Sequence, residues 1–205
     1  MTHLWIRSEQ RNNEKRVGIT PEGAAYLIKN GFKITIEDCA SRIIPICSYR
    51  ESGCEIVKKN SWVKAPKEAI IFGLKEILDP EASLHHRHIM FAHAFKGQHS
   101  GISLLRRFKN DGGKLYDLEY LLDDSGKRVA AFGYWAGYAG AAVSLKVWVS
   151  QKINNQCEQI SYYTDKEKLL KELKMDLSSY KEVKPSAIII GALGRVGVGA
   201  SDLLA

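Results

Sequence analysis

The 205-residue chain carries 30 Lys+Arg against 23 Asp+Glu, a net charge of +7, with 45% hydrophobic residues. With 26% charged residues and only 5 prolines, disorder across the whole chain is excluded. The length allows one large domain or two small ones, each with a proper core. The opening residues, Met1-Thr2-His3-Leu4-Trp5, show no apolar run behind a basic segment, so no secretory leader is expected. The longest apolar stretch, residues 129–145, ends at Lys146 and falls short of the roughly 20 residues that span a bilayer, so no membrane partner is expected. Cys39, Cys47, Cys54 and Cys157 are scattered with no Cys-x-x-Cys pair, which argues against a zinc module or disulfide scaffold and suits a reducing cytoplasm. Basic residues are interspersed with acidic ones, and the cluster Lys58, Lys59, Lys64 and Lys67 has one aromatic and no groove-binding motif. Nucleic acid is therefore set aside in favour of a solvated surface, or one that attracts anionic metabolites.

In chain order, Leu4-Trp5-Ile6 reads as a strand. Thr20-Pro21 opens a helix that Gly31 stops, because Thr caps, Pro fits the first turn and Gly accepts the left-handed exit. Lys33-Ile34-Thr35-Ile36-Glu37 alternates as a strand does. Ser48-Tyr49-Arg50-Glu51 reads as a capping box, followed by a Gly53 stop and a strand at Glu55-Ile56-Val57. The apolar runs at residues 69–74 and 89–92 predict buried strands. A helix is expected around residues 102–108, strands at 115–121 and 129–132, and a helix over 134–150. Thr164-Asp165-Lys166-Glu167 reads as a second capping box, leading a helix to about Met175. Strands alternating with helices predict an α/β fold with a mainly parallel sheet.

Ile188-Ile189-Ile190 reads as a short buried strand running into Gly191-x-x-Gly194-x-x-Gly197 at the head of a helix. Glycines let the backbone approach a pyrophosphate while helix N-terminal amides hold its charge; a tight turn with no ligand is the competing explanation. The chain ends eight residues after Gly197, before the second strand and ribose-binding acid that a dinucleotide fold requires.

Several segments together resemble one family. Glu14-Lys15-Arg16-Val17-Gly18-Ile19-Thr20-Pro21 resembles the N-terminal signature of alanine dehydrogenases, transhydrogenases and lysine-forming saccharopine dehydrogenases. Gly73-Leu74-Lys75-Glu76, Phe91-Ala92-His93-Ala94-Phe95-Lys96, Tyr116-Asp117-Leu118-Glu119, Arg128-Val129-Ala130-Ala131-Phe132-Gly133 and Gly191-Ala192-Leu193-Gly194-Arg195 narrow the resemblance to NAD-dependent saccharopine dehydrogenases. It runs in order through the chain but covers only a little over half of a full family member. The resemblance implies an alanine-dehydrogenase-like two-domain architecture with Rossmann-type parallel sheets. Residues 1–135 would form the substrate domain, and residues 136–205 the connecting helices and first strand-turn-helix of an incomplete NAD domain. It also implies oxidation of saccharopine to L-lysine and 2-oxoglutarate with NAD as cofactor, and admits a second chain that supplies the missing half.

By the same resemblance Lys75 matches one acid/base and His93 the second, whereas without it the default for Lys75 is an ordinary strand-end lysine reaching water, and the competing reading of His93 is a satisfied histidine just past a strand. Arg16 and Arg128 match carboxylate holders, Gln98 and Phe132 further substrate-lining positions, and Gly194 and Arg195 the cofactor turn. Lys127 stands where the family tends to have an arginine near the cofactor. Glu76 and Glu119 would tune the two bases. Part of the +7 balance is expected to face an anionic substrate. His85, His86, His88 and His99 lie near His93 but form no established zinc pattern, so no metal is expected. The competing readings are an alanine-dehydrogenase-like or opine-type oxidoreductase and a non-catalytic remnant that retains part of the substrate cleft.

Overall fold

Alternation along a few short strands sets the architecture of the first part of the chain. In β1 (His3–Ile6), Trp5 enters one apolar core while Leu4 and Ile6 enter another on the opposite face. The same alternation in β4 (Ile70–Phe72), and in β2 (Lys33–Glu37) the burial of Ile34 and Ile36 on one face and of Thr35 and Glu37 on the other, require cover on both faces, as in a parallel sheet. Helices α1 (Pro21–Lys29) and α2 (Ile46–Glu51) supply Ala24 and Tyr49 to one face. Trp62 and, from α3 (His99–Asp111), Leu104 and Phe108 cover the other. This is a computed structural model in which all residues except Lys96, Gln98 and the side chain of His99 are described. They divide into two units, Met1–Ala130 and Ala131–Ala205.

Among the described residues of the first unit, β3 (Glu55–Val57), β5 (Arg87–Met90) and β6 (Lys114–Asp117) complete a six-stranded sheet of order β3-β2-β1-β4-β5-β6. Every pairing is parallel, as the α/β expectation requires. This is the doubly wound order, in which the connections diverge between β1 and β4 and leave a crevice at the carboxyl ends. One buried carboxylate organises that edge. Glu37 closes β2 and accepts bonds from Trp5 Nε1 at 3.2 Å, Ser8 N at 2.9 Å, Ser8 Oγ at 2.8 Å, Asn60 N at 2.8 Å and Trp62 N at 2.7 Å.

Several local expectations shift. Ser48 does not cap α2: the helix starts earlier, behind Pro45, whose fixed φ pre-forms the turn, and the Ser48 N–H bonds to the Pro45 carbonyl. The cap of α5 (Lys166–Ser178) is Asp165 rather than Thr164, because the Asp165 carboxylate takes the Lys168 N–H at 2.7 Å. β5 begins at Arg87, pairing Arg87 with Ile70, so the strand includes two polar residues that hydropathy excludes. β6 stops at Asp117, whose side chain accepts the Glu119 N–H and starts a 3₁₀ turn. No strand forms over residues 129–132; Val129 N–H meets the Leu121 carbonyl and Arg128 bridges Leu122 around a turn.

In the second unit, α4 (Tyr134–Lys152) packs against α6 (Arg195–Leu204) by close backbone approach. A Cβ on Gly137 would lie 1.8 Å from the Val196 carbonyl oxygen, and one on Gly199 would lie 1.9 Å from that of Tyr134. The glycine-studded apolar run is thus a helix that meets a helix. Ile188-Ile189-Ile190 is not a strand: among the described residues no strand pairs with it, and Ile188 and Ile190 are 93% and 97% exposed. A β-strand needs a ladder partner, and apolar sequence alone cannot replace one.

The core of the first unit contains His88, edge-on to Trp62 at 5.4 Å and Phe108 at 5.2 Å between ring centroids, with Nε2 buried and unpartnered. Burial, reinforced by His86, pushes its protonation down to about 3. Below the ordinary imidazole value near 6.5, the unfolded chain takes up a proton that the folded chain refuses. Stability should therefore fall as pH drops through that range, by roughly 3 kcal/mol at pH about 4. In His88→Leu this slope should flatten when unfolding free energies are measured in denaturant at neutral and acid pH. An unchanged slope would assign the acid sensitivity elsewhere.

Candidate active site

The crevice that the strand order creates is lined by the segments leaving β1, β4 and β5. Lys75 and Glu76 follow β4, and His93 follows β5. Adjacent parallel strands bring these segments side by side, and Lys75 and His93 line one cleft of about 590 Å³ together with Arg11, Glu76, Ser103 and Arg107. Two residues that sequence places apart thus share one wall-to-wall space, where a single small molecule can meet both.

His93 has φ +51, a left-handed conformation that few non-glycine residues adopt. The turn that holds it there is tied on both sides: Phe91 N–H bonds to the Leu74 carbonyl at 3.0 Å, and Ala92 N–H to Asp117 Oδ1 at 3.2 Å. The His93 ring faces the buried Glu119, Nδ1 to Oε2 at 3.5 Å, and the other oxygen of that carboxylate meets Arg128 at 3.0 Å. Glu119 therefore joins two predicted site residues. Asp117 Oδ1 also accepts the Glu119 N–H at 3.0 Å, so one aspartate braces both turns.

Arg16 borders a separate, water-sized niche of about 20 Å³ with Arg7, Glu9, Glu14 and Gly73. Its guanidinium grips Glu14 through Nε at 2.8 Å and a terminal nitrogen at 2.6 Å. That hydrogen-bonded fork outweighs burial and holds the Glu14 carboxyl below the usual range, with Lys75 adding a smaller pull. At Glu76 burial pushes the carboxyl up, but the bond from Arg11, its own backbone amide and Lys75 together bring it below the ordinary value. Arg7, Arg11, Arg16 and Arg128 thus face Glu9, Glu76, Glu14 and Glu119 respectively. Each of the four stands beside a carboxylate, because a cation drawn out of bulk water needs a counter-ion.

Lys127 lies exposed on the turn after Asp123, whose carboxylate accepts its N–H at 2.9 Å. Gln98 lies outside the described residues. Phe132, Gly194 and Arg195 belong to the second unit. There Phe132 is half-exposed, Gly194 caps α6, its N–H bonds to the Gly191 carbonyl at 3.0 Å, and Arg195 opens the helix. Sequence reasoning passed over Arg7, Glu9, Arg11 and Asp117. Their one signal, polar residues at the ends of strands, becomes legible only once strand order is known.

A doubly wound parallel sheet with ionisable side chains converging at its carboxyl edge is the arrangement in which α/β domains bind small molecules. Residues 5–139 match the family described as alanine dehydrogenase/PNT, N-terminal domain, and the chain belongs to it. It is similar to saccharopine dehydrogenase [NAD(+), L-lysine-forming] of Candida glabrata, with 43% identity over 98% of this chain and 56% of that protein. The protein of the same name in Schizosaccharomyces pombe is 42% identical over 98% of this chain and 56% of its own length. The chain thus spans little more than half the length of these curated relatives. Among solved structures, an L-alanine dehydrogenase superposes with TM-score 0.64 at 16% identity, covering 98% of this chain and 51% of that one. A transhydrogenase from Sinorhizobium meliloti gives 0.53 at 17%, covering 73% and 44%. At these identities the structural likeness establishes the fold alone.

The Arg16–Glu14 fork makes a direct prediction. In Arg16→Gln the Glu14 carboxyl should titrate higher than in the parent protein, read from its side-chain carbon shift by NMR. The stability that the pair contributes should be present above the ordinary carboxylate range and lost as pH falls through the depressed value. An unmoved Glu14 titration would show that another group holds it down.

Proposed function

We propose that this chain supplies the substrate side of an NAD-dependent oxidation of saccharopine to L-lysine and 2-oxoglutarate. The observation that carries the reading is the cleft shared by Lys75 and His93, in a chain 43% identical to a protein named for that reaction. In this reading residues 1–135 act as the substrate domain and residues 136–205 begin the nucleotide domain. A second chain completing that domain is part of the proposal, as is a cytoplasmic setting, which suits free cysteines.

Oxidising a secondary amine requires removal of its N–H proton, and hydrolysing the resulting imine requires a base for water. Lys75, when neutral, takes the amine proton on Nζ. His93 takes the proton from water on its imidazole and returns it to the departing lysine amine. Glu119, 3.5 Å from the His93 ring, stabilises the imidazolium so formed. Arg128 and Arg16 present planar forks suited to carboxylates, trading or sharing their present partners Glu119 and Glu14 with the substrate. Gln98 and Phe132 extend the substrate contacts. NAD, when bound, supplies the hydride acceptor. The glycine turn suits its pyrophosphate: Gly191 stands at φ +81 with nothing within 4 Å of where its side chain would be, and a Cβ on Gly194 would meet only the Gly191 carbonyl. Gly194 and Arg195 would hold the cofactor there, with Lys127 a further contact.

Saccharopine titrated into the protein with NAD present should perturb the His93 and Arg128 side-chain resonances, whereas L-alanine at equal concentration should leave them unmoved. In the enzyme completed by that second chain, Lys75→Met and His93→Gln should each slow NADH formation by about 10²–10⁴-fold without loss of fold. A response to alanine instead, or full rates in both variants, would contradict the reading.

A further inference from the structure

The segment that carries Lys75 belongs to no strand or helix, yet its backbone is held by charged side chains on both sides of residue 75. After β4, residues 73–76 leave the sheet, and two charged side chains from the end of β1 reach across to them. The Glu9 carboxylate accepts the Leu74 N–H on Oε1 at 2.6 Å and the Lys75 N–H on Oε2 at 3.0 Å. Arg7 donates to the Lys75 carbonyl and, at 3.0 Å, to the Ser8 carbonyl, while its guanidinium lies 3.5 Å from Glu9. The Lys75 residue is thereby held at its N–H by an anion and at its C=O by a cation. Hydrogen bonds with an ionised partner are about twice as strong as neutral ones.

The rest of the neighbourhood is shaped around this grip. A Cβ on Gly73 would lie 2.5 Å from the Arg7 guanidinium carbon, so the loop accepts the arginine only because residue 73 has no side chain. Arg7 is buried, with 1% side-chain exposure, and Glu9 is largely covered, with 9%, and a buried ion that loses its partner is costly. With both the N–H and C=O of residue 75 fixed, the direction of its Cα–Cβ bond is fixed, and with it the base of the side chain that enters the cleft.

We propose that Glu9, braced by Arg7, is the positioning residue for Lys75. This rests on the reading of Lys75 as the group that accepts the amine proton. Glu9 does not line the cleft of Lys75 and His93; it acts through the backbone. A proton acceptor misplaced by about 1 Å loses much of its effect, which is why such a group needs a rigid base.

Glu9→Gln keeps the shape but replaces one acceptor oxygen by an amide that cannot accept. In the full 205-residue protein, hydrogen exchange at the Leu74 or Lys75 amide should accelerate at least about tenfold, while amides of β1 and β2 keep their rates. The acetylation rate of Lys75 by trace acetic anhydride, followed against pH by mass spectrometry, should change, whereas that of the exposed Lys59 should not. Glu9→Asp, which keeps the charge on a shorter arm, should give a smaller change in the same direction. Unaltered Lys75 labelling despite faster exchange would overturn the proposal, as would uniform acceleration across the sheet or loss of folding in both variants, since either would make Glu9 a general structural residue. Neither readout needs turnover, so Lys75→Met judges the assignment of Lys75 separately from the role of Glu9.

Discussion

The Glu37 carboxylate, buried at the carboxyl end of β2, collects five hydrogen bonds from β1, from the residues just beyond it and from the segment around Trp62. A buried anion without such donors would be prohibitive, and donors arranged around it without the anion would be left unsatisfied. The consequence reaches further than the sheet. Two of its donors are the amide and hydroxyl of Ser8, and Ser8 separates Arg7 from Glu9. Fixing Ser8 aims those two side chains at the loop after β4, and that loop carries Lys75. A structural carboxylate thus underlies the geometry of the cleft without lining it.

The second organising constraint is topological. In the order β3-β2-β1-β4-β5-β6, β4 and β5 lie side by side with their carboxyl ends together, so the residues that follow them must meet. Lys75 and His93 share a cleft for this reason. Four arginines that follow β1 or lie near Glu119, namely Arg7, Arg11, Arg16 and Arg128, each stand beside a carboxylate. Such pairing offsets the charge of each guanidinium. It also means that an anionic ligand would be recognised by exchange of partners and by fork geometry rather than by bulk positive potential.

Much of this fold is legible in the residues themselves. The alternation in Lys33-Ile34-Thr35-Ile36-Glu37 and the Thr20-Pro21 start of α1 need no tertiary information, because local stereochemistry and a two-sided core decide them. β5 is less legible: Arg87 and His88 look polar, but His88 is buried between aromatic rings as a neutral group. The run Ile188-Ile189-Ile190 misleads in the opposite sense, since its hydropathy is that of a core strand while its state depends on a ladder partner elsewhere. For the site, Lys75 and His93 are visible through their motifs. The grip of Glu9 on Leu74 is not, since it links residues 65 positions apart whose meeting depends on β1 lying beside β4.

The proposed roles of Lys75 and His93 require that a saccharopine-like secondary amine lie between them. A structure of the protein with saccharopine bound tests it most directly. The ligand nitrogen, or the carbon attached to it, should lie within about 3 to 4 Å of Lys75 Nζ or the His93 ring, with a carboxylate on Arg128. Saccharopine seated away from that cleft, with Lys75 and His93 untouched, would contradict it.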